Sequence, residues 1–449
     1  MRAARCRQRC ASRDALLTRS TAPAAPPEPT VLAAMPGRRR WARSIREVHD
    51  LNAVARACVL MAATLSSMAV MLSVGNPDFL AHGLVISGGY TALAARCVAA
   101  TLERATQAED THPRRTWRDY AGDRDFDDFF RFQPAEIEEL TACLQLPDVI
   151  RTPKRFKFSP DEAVSILLFM FARGPHHSEV NRMFGRKRSA QSELMTWWAD
   201  FFWDNWYGPL LASDLRRWTP HFQLWADTIF AKQGHARGYR NVVGFIDGTL
   251  RGIARPSQNQ DMFFSGHKWF HGLKFQAFTA PNGLTIDLAG PLRGRRSDEK
   301  LLAKSRLLPR FREACSWAGC LYDFVIFADA GYAASVFLMT PFKRIAGTST
   351  VLESTVNLMT SKVRVAVEWG YGRTANLWKH IDDSARMVTG LRQPAKLYVI
   401  ATILTNAHTC AYGNITSQEF GLQPPSMREY FDGAPAAAAA DYWDSEASD

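Results

Sequence analysis

The chain has 449 residues, 47% of them hydrophobic and 11% aromatic, with a formal charge of +11 and a pI near 9.4. That apolar content excludes a disordered or fibrous chain and leaves room for two or three domains. The excess of Lys and Arg favours polyanionic partners, nucleic acid or an anionic membrane surface. Eight cysteines lie scattered at 6, 10, 58, 97, 143, 315, 320 and 410 without a CxxC pair, which excludes a disulfide scaffold, points to a reducing compartment and argues against zinc.

Residues 1–50 are rich in Arg, Ala and Pro with few acids (RCRQRC, PAAPPEP, GRRRWAR). That composition predicts disorder, and a transit peptide and a nuclear signal fit it equally. Residues 51–110 carry two nearly uncharged stretches, ACVLMAATLSSMAVMLSVGNP and LAHGLVISGGYTALAA. Their length suits a membrane span, whereas the Ser, Thr, Asn and Gly that dilute them suit a packed helical hairpin. Residues 111–150 turn acidic and aromatic and read as a polar linker leading to a short helix. Asp123, Asp125, Asp127 and Asp128 lack the spacing and terminal Glu of a calcium loop, so a solvated charged segment is the expectation.

Residues 151–239 are expected to be helical. KFSPDEAVSILLFMFARG offers Ser159 as N-cap, Pro160 at the first helical position, apolar residues spaced for one face and Gly174 as a stop. SEVNRMFGRKRSAQSELMTWWADFFWDNW then gives two helices joined by a short basic connection containing Arg186, Lys187 and Arg188. Helix, tight turn and helix resemble a helix-turn-helix DNA-binding unit, with these three residues on phosphates or on a solvated surface. Trp197, Trp198, Trp203 and Trp206 read as packing between helices rather than base stacking.

From residue 240 the pattern becomes strand-like. NVVGFIDG, GLKFQAFTA and LTIDLAG, the last two separated by PNG, predict an antiparallel meander. SDEKLLAKSRLL, capped by Ser297, predicts a crossover helix, and DFVIFADAGY a strand buried among parallel neighbours. This order is that of an RNase H-like fold, with the first and fourth strands adjacent at the centre. The Asp247 and Gly248 pair by itself is an ordinary strand-ending turn. The strand order instead sets Asp247 beside Asp329 at one carboxyl edge, where two carboxylates repel unless a cation lies between them. Glu368 follows on a helix predicted to begin near Thr360 or Ser361; its alternative role is an ion pair with Arg364. Two strand-end aspartates and a helix glutamate suit two Mg²⁺ or Mn²⁺ ions and in-line phosphoryl transfer.

FIDGT, RPSQNQDMFFSGHKWFHGLKFQ, PNGLTIDLAGPLRGRRSD, FADAGY and NLMTSKVRVAVEWGYGRTANLW, in this order, resemble the catalytic domain of Harbinger-type DDE transposases. LYVIATILTNAHTCAYGN looks like its closing helix, so the similarity spans 240–413, with the preceding helices resembling the family's helix-turn-helix region. The resemblance implies Asp247, Asp329 and Glu368 as catalytic metal ligands, divalent Mg²⁺ or Mn²⁺, nuclear action on terminal inverted repeats and target DNA, a Myb-like accessory protein and a homo-oligomer. It leaves Asp298 as a competitor of Asp329; strand order favours Asp329, with Asp298 beside the ligands or on the DNA end. His267, Lys268, His271, Lys274, Arg293, Arg295 and Arg296 would grip phosphates near the active edge, or form a solvated face. The chain departs from the family at Leu250, where many relatives have His, and at Trp269 and Phe270, where a more polar pair is expected. A transposase-derived host protein that binds DNA or protein without cutting is the rival reading. Residues 1–110 match nothing in the family, and 414–449 are expected to be a disordered tail.

Overall fold

A computed structural model describes residues 112–212, 214–233, 239–342, 350–389 and 393–432, with shorter helical pieces within 57–66 and 87–96. The expectations for 1–50 and the end of the tail lie outside the described residues. The chain divides into two compact units, Met1–Ala108 and Glu109–Asp449. In the first, Ser87 Oγ donates to the Ala62 carbonyl at 3.0 Å and meets Ser66 Oγ at 2.6 Å, so the two helical pieces are joined by hydroxyls. Among the described residues no helix is long and apolar enough to cross a membrane.

The second unit begins with a turn at Trp117–Tyr120, then α1 (Phe126–Phe130) and α2 (Pro134–Cys143). The polar linker expected here is instead part of the core. Trp117, Phe126, Phe130, Phe132, Ile137 and Leu140 are buried, while Asp123, Asp125, Asp127 and Asp128 are exposed. Two short paired strands, β1 (Ile150–Arg151) and β2 (Lys157–Phe158), lead into α3 (Pro160–Arg173). Its caps are as read from sequence: Ser159 accepts from the Glu162 N–H, Pro160 opens the helix, and Gly174 closes it in the left-handed region at φ 56°. Glu162 through Ala172 are all buried, so α3 is a central helix rather than one with a single apolar face.

Next come α4 (His177–Phe184), closed by Gly185, and α5 (Arg188–Phe202), which continues in wider turns through Trp203–Ala212. Trp198 and Trp206 are buried, and Trp197 stacks on Phe201 at 4.8 Å, so these tryptophans pack. Arg186 in the basic connection is also buried. Its guanidinium makes two bonds to the Glu162 carboxylate and one to the Lys157 carbonyl, and lies 4.0 Å from the Phe158 ring centroid. The expectation of a phosphate contact fails for this residue, because its donors are spent inside the protein. Lys187 is half-buried and Arg188 exposed.

After α6 (Phe222–Lys232) the sheet begins with β3 (Val242–Gly252), followed by α7 (Gln260–Phe263), β4 (Phe264–Ser265), β5 (Phe270–Thr279) and β6 (Thr285–Arg293). The crossover consists of two helices, α8 (Asp298–Ser305) and α9 (Leu307–Trp317), broken at Arg306, which takes a left-handed conformation at φ 50°. Then come β7 (Val325–Ala328) and β8 (Leu338–Met339). β5 pairs antiparallel with both β3 and β6, while β7 pairs parallel with β3 and with β8, so the main strand order is β6, β5, β3, β7, β8. This mixed sheet has the order expected of an RNase H-like fold. Asp287 on β6 is buried, and Arg310 on α9 pairs with it at 2.6 Å.

α10 (Val351–Leu377) starts about ten residues earlier than expected, at a capping box formed by Thr350 and Glu353. α11 (Lys379–Asp382) and α12 (Pro394–Tyr412) follow. The expected tail holds α13 (Ile415–Phe420) and α14 (Met427–Asp432), with Met427, Tyr430 and Phe431 buried. The helices before residue 240 and the sheet share one hydrophobic cluster. Tyr207 reaches across and donates to the Leu288 carbonyl on β6 at 3.0 Å.

Two predictions follow from the interior polar groups. Arg186→Ala leaves Glu162 charged and buried and is expected to lower stability by roughly 3 kcal/mol, read as a lower urea midpoint; an unchanged midpoint would refute the ion pair's role. His408 sits 5.3 Å from the Phe132 ring and 4.6 Å from that of Tyr412, accepting from Arg373 at 3.0 Å. Burial, reinforced by Arg373, lowers its pKa to about 4. The unfolded chain therefore protonates first as the pH falls. Stability present above pH 6.5 is lost progressively toward pH 4, on the order of 3 kcal/mol from this residue. His408→Gln should flatten that part of the pH dependence of the urea midpoint relative to the parent chain.

Candidate active site

The site grows from the parallel contact of β3 with β7. Phe245 faces Phe327 and Ile246 faces Ala328, so the next pair in register is Asp247 and Asp329. Adjacent strands stand about 5 Å apart, and by the alternation of side chains the carboxylates share the face of Phe245 and Phe327, two residues earlier. Each is fixed locally in the same way: Asp247 Oδ1 accepts the Gly248 N–H at 2.8 Å, and Asp329 Oδ1 the Ala330 N–H at 2.6 Å. Both side chains are partly exposed.

Asp247 and Gly248 do not end the strand. β3 runs on to Gly252, still paired with β5, with Gly248 opposite Gln276 and Gly252 opposite Gly272. Gly248 answers a different need. A Cβ there would run into the Asp298 carboxylate and come within 3.5 Å of the Tyr332 hydroxyl. Only glycine lets the first residue of α8 reach the face of β3 behind Asp247.

Asp298 thus lies close to the aspartate pair, across the strand. It is held by Lys274 at 3.2 Å. Gln276, next along that face of β5, accepts a bond from Tyr332 at 3.3 Å. Burial, then the fields of Asp298, Asp247 and Asp329, push the Tyr332 hydroxyl far above its usual range, so it stays protonated and donates. Lys274 is accordingly an internal partner of an acid rather than a free phosphate clamp.

The opposite face is organised by α10. Tyr371 donates to the Asp247 carbonyl at 2.6 Å and accepts from the Ala277 N–H at 3.0 Å, bridging β3 and β5 at that pair. Arg251, further along β3, donates to the Tyr371 carbonyl at 3.1 Å and to the Tyr398 hydroxyl at 3.2 Å. Glu368 precedes Tyr371 by less than one helical turn. It is exposed and lines a cleft with Arg131, Arg373, Asn376, Asn414 and Thr416. The register of β3 with β7 sets Asp247 and Asp329 at neighbouring strand ends. Among the described residues no three His, Cys, Asp or Glu side chains stand where they could hold a metal ion jointly. Two hard carboxylates on one face nevertheless form the donor pair that a divalent cation prefers.

Of the basic residues expected near the edge, His267, Lys268, Arg295 and Arg296 are exposed. His271 is half-buried, 5.3 Å from the Phe264 ring, and Arg293 is half-buried against the Met262 sulfur. Sequence reasoning missed Tyr332 and Tyr371, although each stands three residues after a singled-out acid.

Residues 246–406 match the model of a family described as DDE superfamily endonuclease. The match takes in Asp247, Asp298, Asp329 and Glu368. No curated protein and no solved structure matches the chain.

The Gly248 geometry gives a double-variant test. Gly248→Ala is expected to push Asp298 off Lys274 and lower stability by about 1–3 kcal/mol. Adding Asp298→Ala should restore part of that loss in urea unfolding. Simple additivity of the two changes would show that the contact does not matter.

Proposed function

We propose that this protein is a metal-dependent DNA endonuclease and strand transferase of the transposase type. The observation that carries the proposal is the parallel register of the two central strands, in which Ile246 faces Ala328 and Asp247 and Asp329 follow directly, inside a segment similar to DDE superfamily endonucleases. These two carboxylates would hold a divalent cation, Mg²⁺ or Mn²⁺, with Glu368 as a third ligand. Such a cation supplies the acidity that activates a water or 3′-hydroxyl and the charge that stabilises the leaving oxygen. Tyr371 fixes the backbone of Asp247, and Lys274 pairs with the neighbouring Asp298, so both are positioned before DNA arrives. The substrate proposed is the inverted repeats at the ends of a DNA transposon, acted on in the nucleus by a homo-oligomer with a Myb-like partner.

A second reading has its own observation: among the described residues no three His, Cys, Asp or Glu side chains are placed to share a metal ion. A transposase-derived protein that binds DNA without cutting needs no assembled triad.

The two separate on plasmid DNA carrying the inverted repeats that flank the gene. Nicking is expected with Mg²⁺ or Mn²⁺ and not with EDTA, falling about a hundred-fold or more in Asp247→Asn, Asp329→Asn and Glu368→Gln. Nicking that survives all three substitutions would refute the catalytic assignment. DNA binding without nicking by the parent protein would select the second reading.

A further inference from the structure

β3 and β5 extend past the acids as a paired arm. Beyond Gly252 and Gly272, β5 pairs with β4, and the turn between them is residues 266–269, sequence GHKW. Trp269 at this tip is 81% exposed, and Phe270 38%. Its neighbouring ring, Phe264, meets it edge-on with centroids 6.4 Å apart. The tip is nevertheless well fixed: the Trp269 N–H donates to the Ser265 carbonyl at 2.8 Å and the Lys268 N–H to Ser265 Oγ at 3.4 Å.

Trp269 has φ 61°, a left-handed backbone that is an outlier for a bulky residue. Such strain persists where the surroundings impose it, and it concentrates at functional positions. Around the tip stand His267 and Lys268. The turn after β6 adds the exposed Arg295 and Arg296; the Arg295 N–H donates to the Met262 carbonyl at 3.2 Å, and its guanidinium lies 3.7 Å from the exposed Asp261 carboxylate, a pair that water screens. An isolated exposed aromatic is ordinary. One in a strained, pinned turn among basic residues has the composition of a stacking platform for nucleic acid.

We propose that the 266–269 turn is a DNA-binding tip on which Trp269 stacks against an unpaired or terminal base while Lys268, Arg295 and Arg296 hold the flanking phosphates. The proposal rests on the DNA-processing reading above. From the register of Ala277 with Asp247, the tip lies about 25 Å along β5 from the aspartates at about 3.3 Å per residue. That is about seven base pairs of B-DNA at about 3.4 Å each, so the base it contacts is remote from the phosphate being cut.

The test measures fluorescence anisotropy in an Asp247→Asn background, with a labelled duplex of about 30 base pairs, fully paired or bearing a 3′ single-stranded overhang. Trp269→Ala should weaken binding to the overhang probe roughly ten-fold or more without changing the salt slope, and Trp269→Phe should keep most of the affinity. Lys268→Ala should instead reduce the salt slope by about one unit. Trp269→Ala binding within about two-fold of its parent, or changing the slope rather than the affinity, would overturn stacking while leaving the DNA-processing reading intact. Failure of the parent to bind either probe would overturn both.

Discussion

Two carboxylates side by side on neighbouring strands repel, and the fold is arranged around keeping them there. The parallel pairing of β3 with β7 creates the juxtaposition, since Ile246 opposite Ala328 forces Asp247 and Asp329 into the next rung. Each accepts a bond from the backbone N–H of the residue after it, which offers some compensation for the repulsion. The position at the exposed end of the parallel pairing also leaves both acids partly in water, where repulsion is weaker than in a dry interior.

The two faces of β3 then serve different ends. On one, the missing side chain at Gly248 admits Asp298, whose charge is met by Lys274 and whose surroundings include the protonated hydroxyl of Tyr332. On the other, Tyr371 fastens α10 to the backbone of Asp247 itself. Pre-positioned polar groups of this kind are worth most in a partly desolvated site, where reorganisation during reaction would be expensive.

The strand order was legible because each strand is a short apolar run bounded by clear punctuation, PNG in the hairpin and a Ser297-capped crossover. The pairing of Asp247 with Asp329 follows from that order alone. Local rules failed where tertiary contacts decide. Asp-Gly reads as a turn, yet β3 continues because β5 supplies partners as far as Gly272. The acids of 123–128 obscured Phe126 and Phe130, one helical turn apart and both buried. Arg186 sits in a basic run, and nothing local reveals that Glu162, on another helix, faces it. The start of α10 was readable in Thr350 and Glu353, a capping pair preceding the expected start. The placement of Glu368 in a cleft with Arg131, Arg373 and Asn414 depends on how α10 lies on the sheet, which no sequence pattern encodes.

The shared core has a consequence for how such a chain changes over time. Tyr207 bonds to a strand of the sheet, and one continuous apolar cluster includes Trp198 and Phe202 from the helices with Phe275 and Leu288 from the strands. Recombination that joined these helices to a foreign sheet, or this sheet to foreign helices, would expose apolar surface on both halves. Among the described residues from 112 onward, substitution at a surface turn therefore disturbs this chain less than exchange of either half would.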